Sequence, residues 1–330
     1  MMIGHQRQIR YLSRVLANGR VAHAYLFAGP ESVGKKTAAV EFAKGLLCGN
    51  DPFTFGGCGQ CQACRDAEGF LHPDVILLAR DLLLIPEEEK KGIGIRNIQE
   101  ISRRLSLSAW AGGWRVVIID GAEAMSRAAS SALLKLLEEP GRETIFFLIT
   151  ATPGGLLETI RSRCVPVRFS PLGDAELEEG ILGMKEVKHL NIQSVTALAR
   201  GRPGLALRFL REPTVFQERR AAKRKFEDLF HRGLDEQFRF AEAALTEGAA
   251  LKSFFEFVLY ALRERVIRQL TPAGRTLSLL RIAATAYQLL ESTTVNRRLL
   301  ADAFFVELYG LQIGTNMPIT HRHSYIRKDS

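Results

Sequence analysis

The sequence predicts an α/β domain built on a parallel sheet with helices on both faces, followed by an all-helical half. Three observations carry this reading. Short apolar runs alternate with helical patterns through the first half of the chain. One of those runs leads straight into a glycine loop that opens a helix. Beyond Pro171 the strand-like runs stop, and helical periodicity continues to about residue 313.

The elements follow in order. His23-Ala-Tyr-Leu-Phe-Ala28 reads as a buried strand, and Lys35 to Leu47 as the helix after the glycine loop. Asp74-Val-Ile-Leu-Leu78 is a second strand, and Ile95, Ile98, Ile101 and Leu105 recur at helical spacing. Trp114 to Asp120 is a third strand. Ser126 caps a helix through Leu137 that stops at Glu138-Glu139-Pro140. Thr144 to Thr150 is a fourth strand, and Val165 to Phe169 a short fifth. In the helical half, Phe254, Phe255, Val258, Leu259 and Leu262 form an apolar stripe that reads as core. Thr315 to Ser330 is polar, basic and aperiodic, and is expected to be mobile.

Composition narrows the class. Of 330 residues, 46% are hydrophobic and 25% charged, an ordinary globular balance. No apolar run is long enough to span a bilayer, and Met1 to Arg10 has no apolar signal region. A cytoplasmic protein with no membrane partner is expected. The net charge of +9 is compatible with polyanionic partners and equally with a solvated basic surface.

Gly29-Pro-Glu-Ser-Val-Gly34-Lys35 has the spacing of a phosphate loop in its required place between strand and helix. Glycines let backbone N–H groups turn toward phosphate, the lysine meets the outer phosphates, and the helix start adds partial positive charge. The next position departs from the pattern. A Ser or Thr there would hold Mg²⁺, but the residue is Lys36, and Thr37 comes one place late, about 100° further around the helix.

Val116-Val-Ile-Ile-Asp120 is an apolar strand ending in a carboxylate suited to holding Mg²⁺. An acidic residue directly after it would orient an attacking water, but Gly121 stands there. Glu123 reads as a solvated helix-start carboxylate pointing elsewhere. Thr150 ends its strand where a hydroxyl could sense a γ-phosphate. The expected nucleotide site is therefore degenerate: Gly29, Gly34, Lys35, Thr37, Asp120 and Thr150, with ATP or ADP occupancy open.

Cys48, Cys58, Cys61 and Cys64 supply four thiols at spacings suited to one tetrahedral, structural Zn²⁺, with an iron–sulfur cluster as the competing reading that nothing else in the sequence supports. His72 is a spare ligand or packs locally beside Pro73. Cys164 stands alone and reads as a small buried hydrophobe. Arg163, in Ile160-Arg-Ser-Arg-Cys164, is placed to reach a nucleotide on an adjacent subunit or to close a salt bridge at a helix end.

These residues together carry a resemblance. His23-Ala-Tyr-Leu-Phe, the four cysteines, Leu133-Leu-Lys-Leu-Leu-Glu-Glu-Pro140 and Thr159-Ile-Arg-Ser-Arg-Cys164 resemble the delta-prime family of bacterial DNA polymerase III clamp-loader subunits, within the AAA+ ATPases. The likeness is strong over residues 1–170, and weaker through Gly201-Arg-Pro-Gly204 and Asn296-Arg-Arg-Leu-Leu-Ala-Asp-Ala.

The resemblance implies an AAA+ domain at 1–170 with a zinc module at about 48–74. It further implies a helical lid at 171–208 and a helical collar at 209–314 that assembles a five-subunit ring; the basic tail at 315–330 follows them. It implies a stator in a complex of gamma/tau motor and delta subunits that opens a sliding clamp and places it on primed DNA. Cys48, Cys58, Cys61 and Cys64 match the family's zinc ligands. Arg163 matches the arginine that reaches ATP in a neighbouring motor subunit. Gly204 falls where motors carry a nucleotide-sensing arginine. The chain is thus expected to lack its own ATPase and to be an accessory of a polymerase whose polymerising activity lies in another subunit. Two rivals stay open: a working AAA+ motor of the gamma/tau kind, and a zinc-containing DNA-binding module on a relic AAA+ fold. The basic run Arg219, Arg220, Lys223, Arg224 and Lys225 motivates the second.

Overall fold

The computed structural model describes residues 2–79, 82–85, 92–107, 109, 113–184, 191–229, 273–290 and 296–313, with positions 235, 236, 239, 255, 258, 259 and 262 between them. Phe254 of the apolar stripe and the tail at 315–330 lie outside the described residues. The chain divides into two compact units, Met1–Phe216 and Gln217–Ser330.

The first unit is built on five parallel strands: β1 (Ala24–Ala28), β2 (Val75–Ala79), β3 (Arg115–Asp120), β4 (Thr144–Thr150) and β5 (Val165–Arg168), in the order β2-β3-β4-β1-β5. Every pairing is parallel. Side chains alternate between two apolar layers, as the period of two in a strand requires. Tyr25, Phe27, Val116, Ile118, Ile145, Phe147 and Ile149 enter one layer, with helices α1 (Gln6–Ala17) and α2 (Lys35–Leu47). Ala24, Leu26, Val117, Ile119, Phe146 and Leu148 enter the other, with α4 (Ile95–Ser106) and α5 (Arg127–Glu138). Both faces are covered, which is why the strands read as continuous apolar runs rather than alternating ones. The Ser126 hydroxyl accepts from the Ala129 N–H at 3.1 Å and caps α5 as expected.

Because β3, β4 and β1 are neighbours in register, their C-terminal ends come together. Ala28 pairs with Thr150, and Asp120 with Ile149. In parallel α/β sheets this carboxyl edge is where ligands bind. Between α2 and β2 lie the cysteine turn and the short helix α3 (Gln62–Glu68); α6 (Glu158–Arg161) leads into β5.

Helices α7 (Asp174–Leu182), α8 (Ile192–Ala199) and α9 (Pro203–Arg211) close on a separate apolar cluster of Leu172, Leu177, Ile181, Val195, Phe209 and Phe216, joined by Ile3 from the start of the chain. Helix α10 (Pro213–Leu229) follows. In the second unit the described residues include α11 (Ala273–Leu290) and α12 (Arg297–Ile313), with Asn296 accepting from the Arg298 N–H at 3.0 Å. Phe255, Val258 and Leu262 of the predicted stripe are buried there, and the Phe255 ring meets Phe304 edge-on at 5.0 Å.

Candidate functional site

The phosphate loop has the expected form. Gly34 sits at the helix N-cap in the left-handed region, and no side chain caps the first turn of α2. Its free N–H groups therefore face the loop. Lys35 is buried, and its ammonium donates to the carbonyls of Gly29 and, at 2.6 Å, Pro30. Burial pushes its pKa down, while the carboxylates of Asp120, Glu123 and Glu31 draw it back. The loop is held from two sides. The ring of His5 bonds the Val33 carbonyl at 2.7 Å through Nε2, and the Gly204 N–H donates to the Ser32 carbonyl at 2.8 Å. A Cβ at Gly204 would stand 3.0 Å from that carbonyl oxygen, so an arginine there would crowd the loop backbone.

The carboxylate ending β3 is met by a side chain of the protein itself. Lys36 Nζ lies 2.9 Å from Asp120 Oδ2. An ammonium donor cannot serve as a ligand for Mg²⁺, which takes oxygen ligands at about 2.0–2.1 Å. Thr37 is exposed in the first turn of α2. The residues present do not fit a magnesium ion at this place. Gly121 follows Asp120 at φ 77°, a backbone region that side chains seldom adopt. The missing acid is thus matched by a turn that disfavours one.

Glu123 departs from the expectation of a solvated carboxylate. It is half-buried: Oε1 accepts from the Ala151 N–H at 3.2 Å, and Oε2 is buried without a hydrogen-bond partner. The 3₁₀ turn Ala122–Ala124 after Gly121 turns the side chain back toward the end of β4, which local spacing could not reveal. Thr150 is buried at that end, where its hydroxyl accepts from the Thr152 N–H at 3.0 Å.

The four cysteines converge. Their sulfurs all lie within 4.8 Å of one another, and Cys48 Sγ is 3.9 Å from Cys61 Sγ. A tetrahedral ion with Zn–S bonds of about 2.3 Å sets sulfurs about 3.8 Å apart. Backbone N–H groups already point at these sulfurs: Asp51 and Cys58 at Cys48, Cys61 at Cys58, and Cys64 at Cys61, from 3.2 to 3.5 Å. Burial pushes the Cys48 thiol up, but those donors outweigh it and bring it down to about 6. Burial takes Cys64 the other way, to about 12. The cluster fits a four-thiolate zinc ion with no open position. Gly57 makes the turn possible: at φ 56°, a Cβ there would meet Cys64 Sγ at 2.8 Å and the Lys44 carbonyl oxygen at 2.9 Å. His72 is buried away from the cluster's bonding, its Nδ1 accepting from the Asp74 N–H at 3.1 Å. Cys164 is a buried member of the sheet core.

Arg163 lies where α6 meets β5. Nη2 donates to Glu138 Oε1 at 2.8 Å and Nη1 to the Thr159 carbonyl at 3.1 Å. Glu138 carries no functional signal in the sequence beyond its place in Leu133–Pro140, and His5 carries no local signal at all. In the basic run, Arg220 and Arg224 are exposed, and Arg219 and Lys223 half-buried.

A parallel sheet with a phosphate loop after β1, a carboxylate ending β3 and a threonine ending β4 is the arrangement of a P-loop α/β domain. Among the described residues no helix is long and apolar enough to cross a membrane. A family model described as DNA polymerase III, delta subunit, matches residues 4–173, and the chain belongs to that family. The DNA polymerase III subunit delta' of Pseudomonas aeruginosa is 37% identical over 188 residues, covering 57% of this chain and 55% of that one. The subunit delta' of Bacillus subtilis is 33% identical over 187 residues, covering 56% and 53%. The DNA polymerase III subunit tau of Escherichia coli is 31% identical over 206 residues, covering 62% and 30%. The chain spans about half the length of the delta' relatives it matches.

Proposed function

We propose that this chain is the non-motor, stator subunit of a DNA polymerase III clamp loader. In this reading it sits in a five-subunit ring with gamma/tau motor and delta subunits, and helps them load a sliding clamp onto primed DNA. It binds one structural Zn²⁺ through Cys48, Cys58, Cys61 and Cys64. It hydrolyses no ATP itself and supplies Arg163 in trans to a neighbour's ATP, where a planar guanidinium stabilises charge on the transferring phosphoryl group. The domain limits at 170, 208 and 314 belong to the same proposal.

The observation that carries it is the Lys36–Asp120 ion pair at 2.9 Å, which takes the carboxylate a motor would use for its metal. The half-exposed Arg163 on a flank of the sheet supports the second part. The test is ATP turnover. The purified chain alone is expected to show none. In the reconstituted complex, Arg163→Ala is expected to slow turnover at the facing site by about a thousandfold. Turnover by the lone chain that disappears in Lys35→Ala would refute the stator reading and favour a motor.

A further inference from the structure

Lys36 and Asp120 form a charge pair that a stator does not require. A subunit that merely lost its ATPase could carry any residue at position 36. Here the ammonium is placed 2.9 Å from the carboxylate, bridging the start of α2 and the end of β3. The two charges cancel, and they do so where P-loop motors hold Mg²⁺ between the same two elements.

The rest of the cradle keeps its affinity for anions. The first turn of α2 has no side-chain cap and presents its N–H groups together with the positive end of the helix dipole. Lys35 is buried beside them, and its ammonium donates to carbonyls of its own loop, which a bound phosphate would replace. Lys36 keeps 46% of its side chain exposed, so the cradle is open on its side. With Asp120 paired to Lys36, one of the three carboxylates that act on Lys35 is offset within the protein, and Glu123 and Glu31 remain, so more of the charge of Lys35 is available to phosphate without an added ion. A magnesium ion, by contrast, would have to displace Lys36 from Asp120 and then lie beside its positive charge.

We propose that this site binds di- or triphosphate groups without a divalent cation, the Lys36 ammonium standing in for Mg²⁺. The recognised chemistry is the phosphate chain, carried by a nucleotide or free as pyrophosphate. The proposal rests on the non-hydrolysing reading of the same site, but the two fail separately. Absence of binding overturns this one and leaves a stator that needs no nucleotide, whereas ATP turnover overturns the stator.

The test is calorimetric titration of the full chain with ADP, ATP and pyrophosphate, each in EDTA and in excess Mg²⁺. The expected result is that the preferred ligand binds with a Kd that changes less than about threefold between the two conditions. A preference for ADP or ATP over pyrophosphate assigns the source to a nucleotide; equal affinity assigns it to the phosphates alone. In Lys36→Thr, which restores a hydroxyl and frees Asp120, EDTA is expected to weaken binding at least about tenfold. In Asp120→Asn, EDTA binding is expected to hold or tighten, because Lys36 is released toward phosphate. Binding in the wild-type chain that needs Mg²⁺, binding that survives Lys35→Ala, or no binding by any of the three ligands would each overturn the proposal.

Discussion

The guanidinium of Arg163 donates from Nη2 to Glu138 Oε1 across 2.8 Å, tying the start of β5 to the end of α5. Both side chains are well exposed, at 37% and 50%. An exposed pair of this kind contributes on the order of 0–1 kcal/mol. Its weight is in aim rather than in stability, since it fixes where the guanidinium rests.

Glu138→Gln is therefore expected to change the unfolding free energy by less than about 1 kcal/mol. Denaturant melts of the purified chain would check this. Arg163→Lys should fold equally well yet fail to rescue turnover in the assembled complex, because an ammonium cannot pair with two phosphate oxygens as the planar fork does. Full rescue by lysine would show that charge alone suffices.

Metal analysis of the reduced, purified protein is expected to find about one zinc per chain. Cys58→Ser and Cys61→Ser should each lose it, as should treatment with a strong chelator, with a lowered melting temperature in every case. Zinc should also leave as pH falls, because protons compete for the thiolates. A chain that melts unchanged after zinc removal would exclude a structural role.

Gly57→Ala is expected to cost about 1–3 kcal/mol and to weaken zinc retention. The added methyl would meet the Cys64 sulfur and the Lys44 carbonyl in a left-handed turn. Gly49→Ala is the control, since a Cβ there meets nothing within 4 Å and its φ is not positive.

His5 gives a pH dependence with a defined sign. Burial lowers its pKa from the ordinary value of 6.5, while the bond to the Val33 carbonyl and the nearby Glu176 act the other way. Below 6.5 the unfolded chain binds a proton that the folded chain binds less readily, so folding stability should decrease as pH falls from 6.5 toward the lowered value. His5→Gln should flatten that part of the profile. Thermal melts across the window, read for wild type and variant, would show it; an identical slope in both would mean that His5 is not the group responsible.

Much of the fold was legible because its signals are local. Each strand is an apolar run, Ser126 opens α5 with its side-chain cap and Pro140 closes it by its backbone constraint, and the phosphate loop and cysteine spacings are short patterns whose chemistry needs neighbouring residues. Helix α1 was not anticipated. Its apolar stripe of Ile9, Leu12, Val15 and Leu16 recurs at helical spacing in the sequence itself, and the tertiary structure adds only the sheet layer that buries Leu12 and Leu16.

At the candidate site, sequence alone determined which residue types are present and which are lacking: a lysine and not a hydroxyl at position 36, a glycine and not an acid at 121, four thiols between positions 48 and 64. Their meaning was decided by tertiary structure. That the Lys36 ammonium meets Asp120, that Glu123 turns inward to Ala151, and that Arg163 leans on Glu138 all depend on contacts between segments far apart in the chain. No local pattern encodes such distances. They follow from the order in which the strands assemble, which brings the ends of β1, β3 and β4 to one edge and sets the Lys36 ammonium against Asp120.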